Sequence, residues 1–135
     1  MSDFRTVTAV FSVGPQISLA DVAQAAREGF TRIINNRPDG EAPDQPAGQE
    51  IAAAAEQAGI AYLANPVVGR PSAEQAAEQS RAASAGGRTL AFCRSGTRSI
   101  AAWAIGELAA GRASRAELVE LARAAGYDLS AILEG

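Results

Sequence analysis

Cys93-Arg94-Ser95-Gly96-Thr97-Arg98-Ser99 gathers the chain's only thiol, two guanidinium groups, three hydroxyls and a glycine into seven residues. The run lies between Thr89–Phe92, which reads as a buried strand, and a stretch whose apolar residues Ile100, Ala101, Ala104, Ile105 and Leu108 mark one face of a helix. At such a strand–turn–helix junction, successive backbone N–H groups and the positive end of the helix dipole converge on one spot and form an anion nest. Gly96 allows a positive φ and a close backbone approach to the anion. Thiols held near helix N-termini and arginines ionise well below the about 8.5 of a free cysteine, so Cys93 reads as a nucleophile. Arg98 adds a permanent charge and a planar fork suited to a pair of oxyanion atoms. Ser95 and Ser99 can donate to the thiolate or the ligand, with Arg94 and Thr97 completing the anion-binding set. The plain alternative is a small buried hydrophobe at a strand end, as free cysteines often are. It fits poorly with so polar a turn.

What the chain lacks narrows the chemistry further. There is no histidine among its 135 residues, and all twelve basic residues are arginine. Serine triads, Cys–His pairs and His-ligated metals are therefore closed to it, as are Schiff bases and the lysine of GxxxxGK[ST] loops. A lone cysteine makes neither an internal disulfide nor a zinc knuckle; no metal and no cofactor are expected. The net charge of −3 gives no reason to expect nucleic acid or an anionic membrane as a partner. No apolar run approaches the roughly 20 residues of a membrane span, and MSDFRTVTAV lacks the features of a signal peptide. With 47% apolar and 20% charged residues, the composition reads as one globular domain over residues 1–135, soluble and cytoplasmic.

The elements that must position the turn can be followed along the chain. Thr6–Val13 reads as a strand ending at Gly14-Pro15. Ser18 and Asp21 make a capping-box-like start to a helix that stops near Gly29, and Thr31–Asn35 is a short buried strand. Asn36 to about Gly48 is rich in proline, glycine and acid and reads as a loop. An alanine-rich helix from about Gln49 to Ala58 precedes a strand over Ile60–Ala64. Ser72 with Gln75 opens the next helix, which runs to Gly86-Gly87, and Ser114 with Glu117 opens the last. Leu129, Ile132 and Leu133 suggest a closing turn. Alternating strands and helices predict a three-layer α/β domain, with a four- to five-stranded, mainly parallel sheet covered on both faces. Trp103 and the alanine-rich faces belong to its core.

FCRSGTRS looks like the active-site loop of rhodanese-type sulfurtransferases. The longer succession FSVGPQIS, GFTRIINNRPDGE, AAAAEQAGIAYLANPVV and LAFCRSGTRS resembles the bacterial beta-lactamase-hydrolase-like family over about residues 10–110. That resemblance implies a phosphatase-like domain of the protein-tyrosine-phosphatase type, related in fold to dual-specificity phosphatases. Members of this kind also occur fused to persulfide dioxygenases, which implies persulfide chemistry.

Two reactions suit the turn. Cys93 can take the outer sulfur of thiosulfate or of a small persulfide, or it can attack a phosphate ester and form a phosphocysteine. Phosphatases of this class have five residues between cysteine and arginine, whereas Arg94–Thr97 are four, and Phe92 stands where those enzymes usually carry histidine. An alkoxide or phenolate leaving group also calls for a general acid, and Asn65–Ser72 has no carboxylate. Sulfite and thiolates need none, so this comparison ranks sulfur transfer above phosphatase activity. Asp39, Glu41 or Asp44 can supply the acid if their loop folds over the turn. Arg37 and Asp39 either reach the anion or form a solvent-facing turn; Arg70 is a weaker candidate of the same kind. A sensor modified at Cys93 without turnover is the non-enzymatic alternative. In each case the partner is a small anion. The oligomeric state is not legible.

Overall fold

The computed structural model describes residues 3–134. Its elements run β1 (Arg5–Thr8), β2 (Phe11–Gly14), α1 (Leu19–Arg27), β3 (Arg32–Asn35), α2 (Gly48–Ala58), β4 (Ala61–Ala64), α3 (Ala73–Ala83), β5 (Thr89–Phe92), α4 (Thr97–Ala109) and α5 (Arg115–Ala124). The five strands form one sheet in the order β1-β2-β5-β3-β4. All pairs are parallel except β1–β2.

That exception corrects the sequence reading of one strand over Thr6–Val13. The chain turns back at Ala9–Val10, where the Val10 amide donates to Thr8 Oγ1 at 3.2 Å. β1 then pairs with β2 in antiparallel register. β-propensity is uniform across such a run, whereas a hydroxyl that can close a local turn decides where it folds back.

Side-chain alternation divides the interior into two layers. Ile33, Leu90 and Phe92 face α1 and α2, where they meet Val22, Ile51 and Ile60. Val13, Ile34 and Ala91 face α3, α4 and α5 and meet Ile100, Leu118 and Leu129. Trp103 is buried as expected, stacked on Phe11 with ring centroids 5.0 Å apart. α4 lies unusually close to α3 because Gly106 has no side chain: a Cβ there would collide with the Ala76 carbonyl. The three capping boxes read from Ser18, Ser72 and Ser114 are all formed. Ala47 before α2 offers no side-chain cap, and the Asp39 carboxylate serves instead, accepting from the Gly48 amide at 2.8 Å.

The register brings the site together. Gly14 and Asn35 both align with Phe92, and Ala64 aligns with Asn35. The residues that follow these four strands therefore emerge side by side along one edge of the sheet, where open α/β sheets bind their ligands. Among the described residues no helix is long and apolar enough to cross a membrane.

Candidate active site

Cys93 is the first residue beyond the buried strand β5 and is itself fully buried. Its Sγ accepts the Gly96 amide at 3.1 Å, so the turn curls around the sulfur. Gly96 sits at φ 95° as the residue before α4, a conformation that side chains resist. A Cβ there would also collide with the Tyr127 hydroxyl. That hydroxyl donates to the Ser95 carbonyl at 2.8 Å, tying the turn to the segment after α5. On the other side, the Gln16 amide donates to the Arg94 carbonyl at 3.3 Å. The hydroxyls of Ser95 and Thr97 pair with each other at 3.0 Å and lie exposed. Ser99 is fully buried, and its Oγ has no hydrogen-bond partner among the described residues.

Arg98 shows how a guanidinium can be held and still remain available. Nη1 donates to Glu41 Oε2 and to the Val67 carbonyl, both at 2.8 Å, and Nη2 donates to Glu41 Oε1 at 2.9 Å. This uses the end of the fork and its outer Nη1 side. The Nε–H and the second Nη2 hydrogen lie parallel along the opposite edge, the spacing that meets two oxygens of one oxyanion. Cys93 is a further partner of Arg98, through charge and a side-chain hydrogen bond, so the arginine and the sulfur face one another.

Glu41 is the residue whose position the sequence did not disclose. It was legible as a substitute acid, yet it bridges Arg98 to the buried Arg37, whose Nε donates to Glu41 Oε1 at 3.0 Å. The Arg98 hydrogen bond, helped by Arg37, holds its carboxyl down to about 2, so above that pH it is a carboxylate and no proton donor. A group whose folded-state pKa is depressed stabilises the fold above its unfolded pKa and loses that contribution as pH falls. Glu41→Gln is therefore expected to melt at a lower temperature than the parent above pH 4.5, with the difference vanishing as pH falls through about 2. Melting curves from pH 2 to 6 check this. A constant gap over that range would detach Glu41 from the arginines.

The other candidates divide. Arg37 lies beside the turn, with Nη1 on Gln16 Oε1 at 3.0 Å, and it shares a groove with Glu41, Asp44 and Arg94. Asp39 turns away from the nest to cap α2. Arg70 reaches the Ile132 carbonyl instead. Beneath the turn is a buried amide network outside the sequence reading. Gln79 Nε2 donates to Asn36 Oδ1 at 2.8 Å and to the Ser99 carbonyl at 3.1 Å, while Asn36 and Asn65 both donate to Gln79 Oε1. It joins the loops after β3 and β4 to the start of α4. The available signal was Gln79 on the face of α3 shared by Ala76 and Ala83, a polar residue at a core position.

Comparison with known proteins follows the same lines. Residues 3–111 match the family described as beta-lactamase hydrolase-like protein, phosphatase-like domain; Tyr127 lies outside that match. A beta-lactamase hydrolase-like protein of Xylella fastidiosa is 43% identical over 106 residues, which are 77% of this chain and 25% of the relative. The chain thus spans about a quarter of the length of such relatives. The crystal structure of a candidate phosphatase from Neisseria meningitidis is 30% identical, covers 99% of this chain and 96% of its own, and superposes with a TM-score of 0.84. Tk-PTP in its active form, 20% identical with a TM-score of 0.70 over 92% of this chain and 85% of its own, shares the fold.

Proposed function

Because the chain belongs to the phosphatase-like domain family of beta-lactamase hydrolase-like proteins, we propose that it hydrolyses a small phosphate ester through a phosphocysteine on Cys93. The observation that carries this reading is the turn itself. A sulfur that accepts the Gly96 amide lies at the start of α4, beside an arginine held by Glu41 that also interacts with it. In the first step Cys93 Sγ attacks phosphorus, the ester P–O bond breaks, and the leaving group departs with the bond's electron pair. Arg98 and the turn amides hold the phosphoryl oxygens as charge redistributes. In the second step a water oxygen attacks phosphorus, the S–P bond breaks, and the sulfur leaves as thiolate. The proton lost by the water passes to the released phosphate or to solvent.

This reverses the ranking drawn from the four-residue interval, Phe92 and the missing acid. The family and the structural relatives are phosphatase-like, which supports hydrolysis in spite of the four-residue interval. One observation keeps sulfur transfer as a second reading: Asn65–Ser72 brings no carboxylate to the edge, and sulfur leaving groups need no acid. Acid-quenched intact mass after mixing with an aryl phosphate, and separately with thiosulfate, distinguishes the two. Hydrolysis gives a phosphoryl adduct on Cys93 together with released phosphate. One added sulfur, discharged by thiol and unaccompanied by phosphate release, would install the transferase instead.

A further inference from the structure

The turn at Cys93 is held from outside by a residue that the two steps above leave unused. Tyr127 follows α5 and is buried, with the Arg5 guanidinium over its ring, 5.3 Å from the centroid. Its amide donates to the Ala122 carbonyl at 2.8 Å, which fixes it against the end of α5. Its hydroxyl donates to the Ser95 carbonyl, also at 2.8 Å. The missing Cβ of Gly96 is what lets that oxygen come so near.

The Ser95 carbonyl and the Gly96 N–H are the two ends of one planar peptide group. The peptide that accepts from Tyr127 at one end therefore donates to Cys93 Sγ, at 3.1 Å, from the other. Hydrogen bonds joined in this way polarise one another, so a donor on the carbonyl strengthens the N–H opposite it. The same bond opposes rotation of the peptide plane, which would turn a carbonyl oxygen toward the sulfur. Burial, against the pull of Arg5 and with the help of the Cys93 charge, raises the Tyr127 hydroxyl above its ordinary range. It is a donor at neutral pH.

Resting on the phosphatase reading above, we infer that Tyr127 is a positioning residue for phosphoryl transfer: through the Ser95–Gly96 peptide it sets how strongly the turn holds a negative sulfur. The two steps feel this differently. When Sγ attacks phosphorus, its electron pair enters the new S–P bond, so the Gly96 donor supports the reactant more than the transition state. When the S–P bond breaks, that pair returns to sulfur, and the donor meets charge as it develops. Tyr127 therefore acts chiefly on breakdown of the phosphocysteine.

Tyr127→Phe keeps the ring and removes the hydroxyl. At saturating p-nitrophenyl phosphate, kcat and the phosphorylated fraction of the protein, read by rapidly quenched intact mass, together give the rates of formation and breakdown. Breakdown is expected to slow about three- to tenfold, the worth of one hydrogen bond, so phosphocysteine accumulates. KM then falls with kcat, and kcat/KM, which reports formation, stays within about twofold of the parent. If Tyr127→Phe does not fold, Tyr127→Leu loses the same hydroxyl and is read by the same two rates. Formation slowed as much as breakdown or more, or neither rate changed, would overturn the positioning role while phosphate release by the parent upheld the phosphatase. A parent that neither gains a phosphoryl group on Cys93 nor releases phosphate would overturn both.

Discussion

Replacing Cys93 with serine is expected to end phosphate release, by at least about 10³-fold in kcat, while leaving the fold intact. The hydroxyl takes the place of the sulfur in the same turn, and the Gly96 amide, now 3.1 Å from Sγ, can donate to an oxygen as well. What is lost is the thiolate: an alcohol at neutral pH stays protonated, and no histidine exists in the chain to deprotonate it. The variant should therefore still bind inorganic phosphate at close to the parent's affinity, read by titration calorimetry, while the mass of the quenched reaction shows no adduct. Retained turnover would remove Cys93 from the mechanism, whatever the fold.

The second large effect falls on Arg98. Lysine keeps the charge but replaces the planar fork by a single point of donation. The guanidinium serves Glu41 through its end and the Val67 carbonyl through Nη1, and also meets Cys93. An ammonium cannot span those directions at once. Arg98→Lys is expected to lower kcat/KM by about 10²–10³-fold, the usual cost of losing a donor to developing charge. Saturation kinetics equal to the parent's would show that the oxyanion is held elsewhere. The comparison with Glu41→Gln is informative here, since that variant keeps the fork and removes only its anchor.

Much of the site was legible before any fold was known, and the reason is chemical. The types within Cys93–Ser99 are unusual for a core turn, and the run sits where periodicity changes from strand to helix, so a candidate nucleophile, nest and arginine could all be named. The ranking of sulfur over phosphorus, drawn from the four-residue interval and the missing acid in Asn65–Ser72, is not the one the family match favours. A count sets the length of the ring but not where the arginine's fork points. Arg37 and Asp39 show the same limit. Two residues apart in one turn, they part company, Arg37 toward Glu41 and Gln16, Asp39 toward the N-terminus of α2. Nothing local distinguishes them; the position of α2 does.

Apart from the split of Thr6–Val13 into two strands, the elements and the reagents were legible in the chain's short-range pattern. Alternating strands and helices, three Ser-led capping boxes and the polar turn after Thr89–Phe92 are all short-range features, decided by propensity and hydrogen bonding within a few residues. Tertiary structure alone decided the partners. The Glu41–Arg98 pair joins residues 57 positions apart, and Gln79 reaches Asn36 across 43. The register that aligns Gly14, Asn35 and Ala64 around Phe92 brings the strand ends together. Such contacts depend on which strand lies beside which and how closely helices pack, and that outcome belongs to the whole chain's burial of apolar surface.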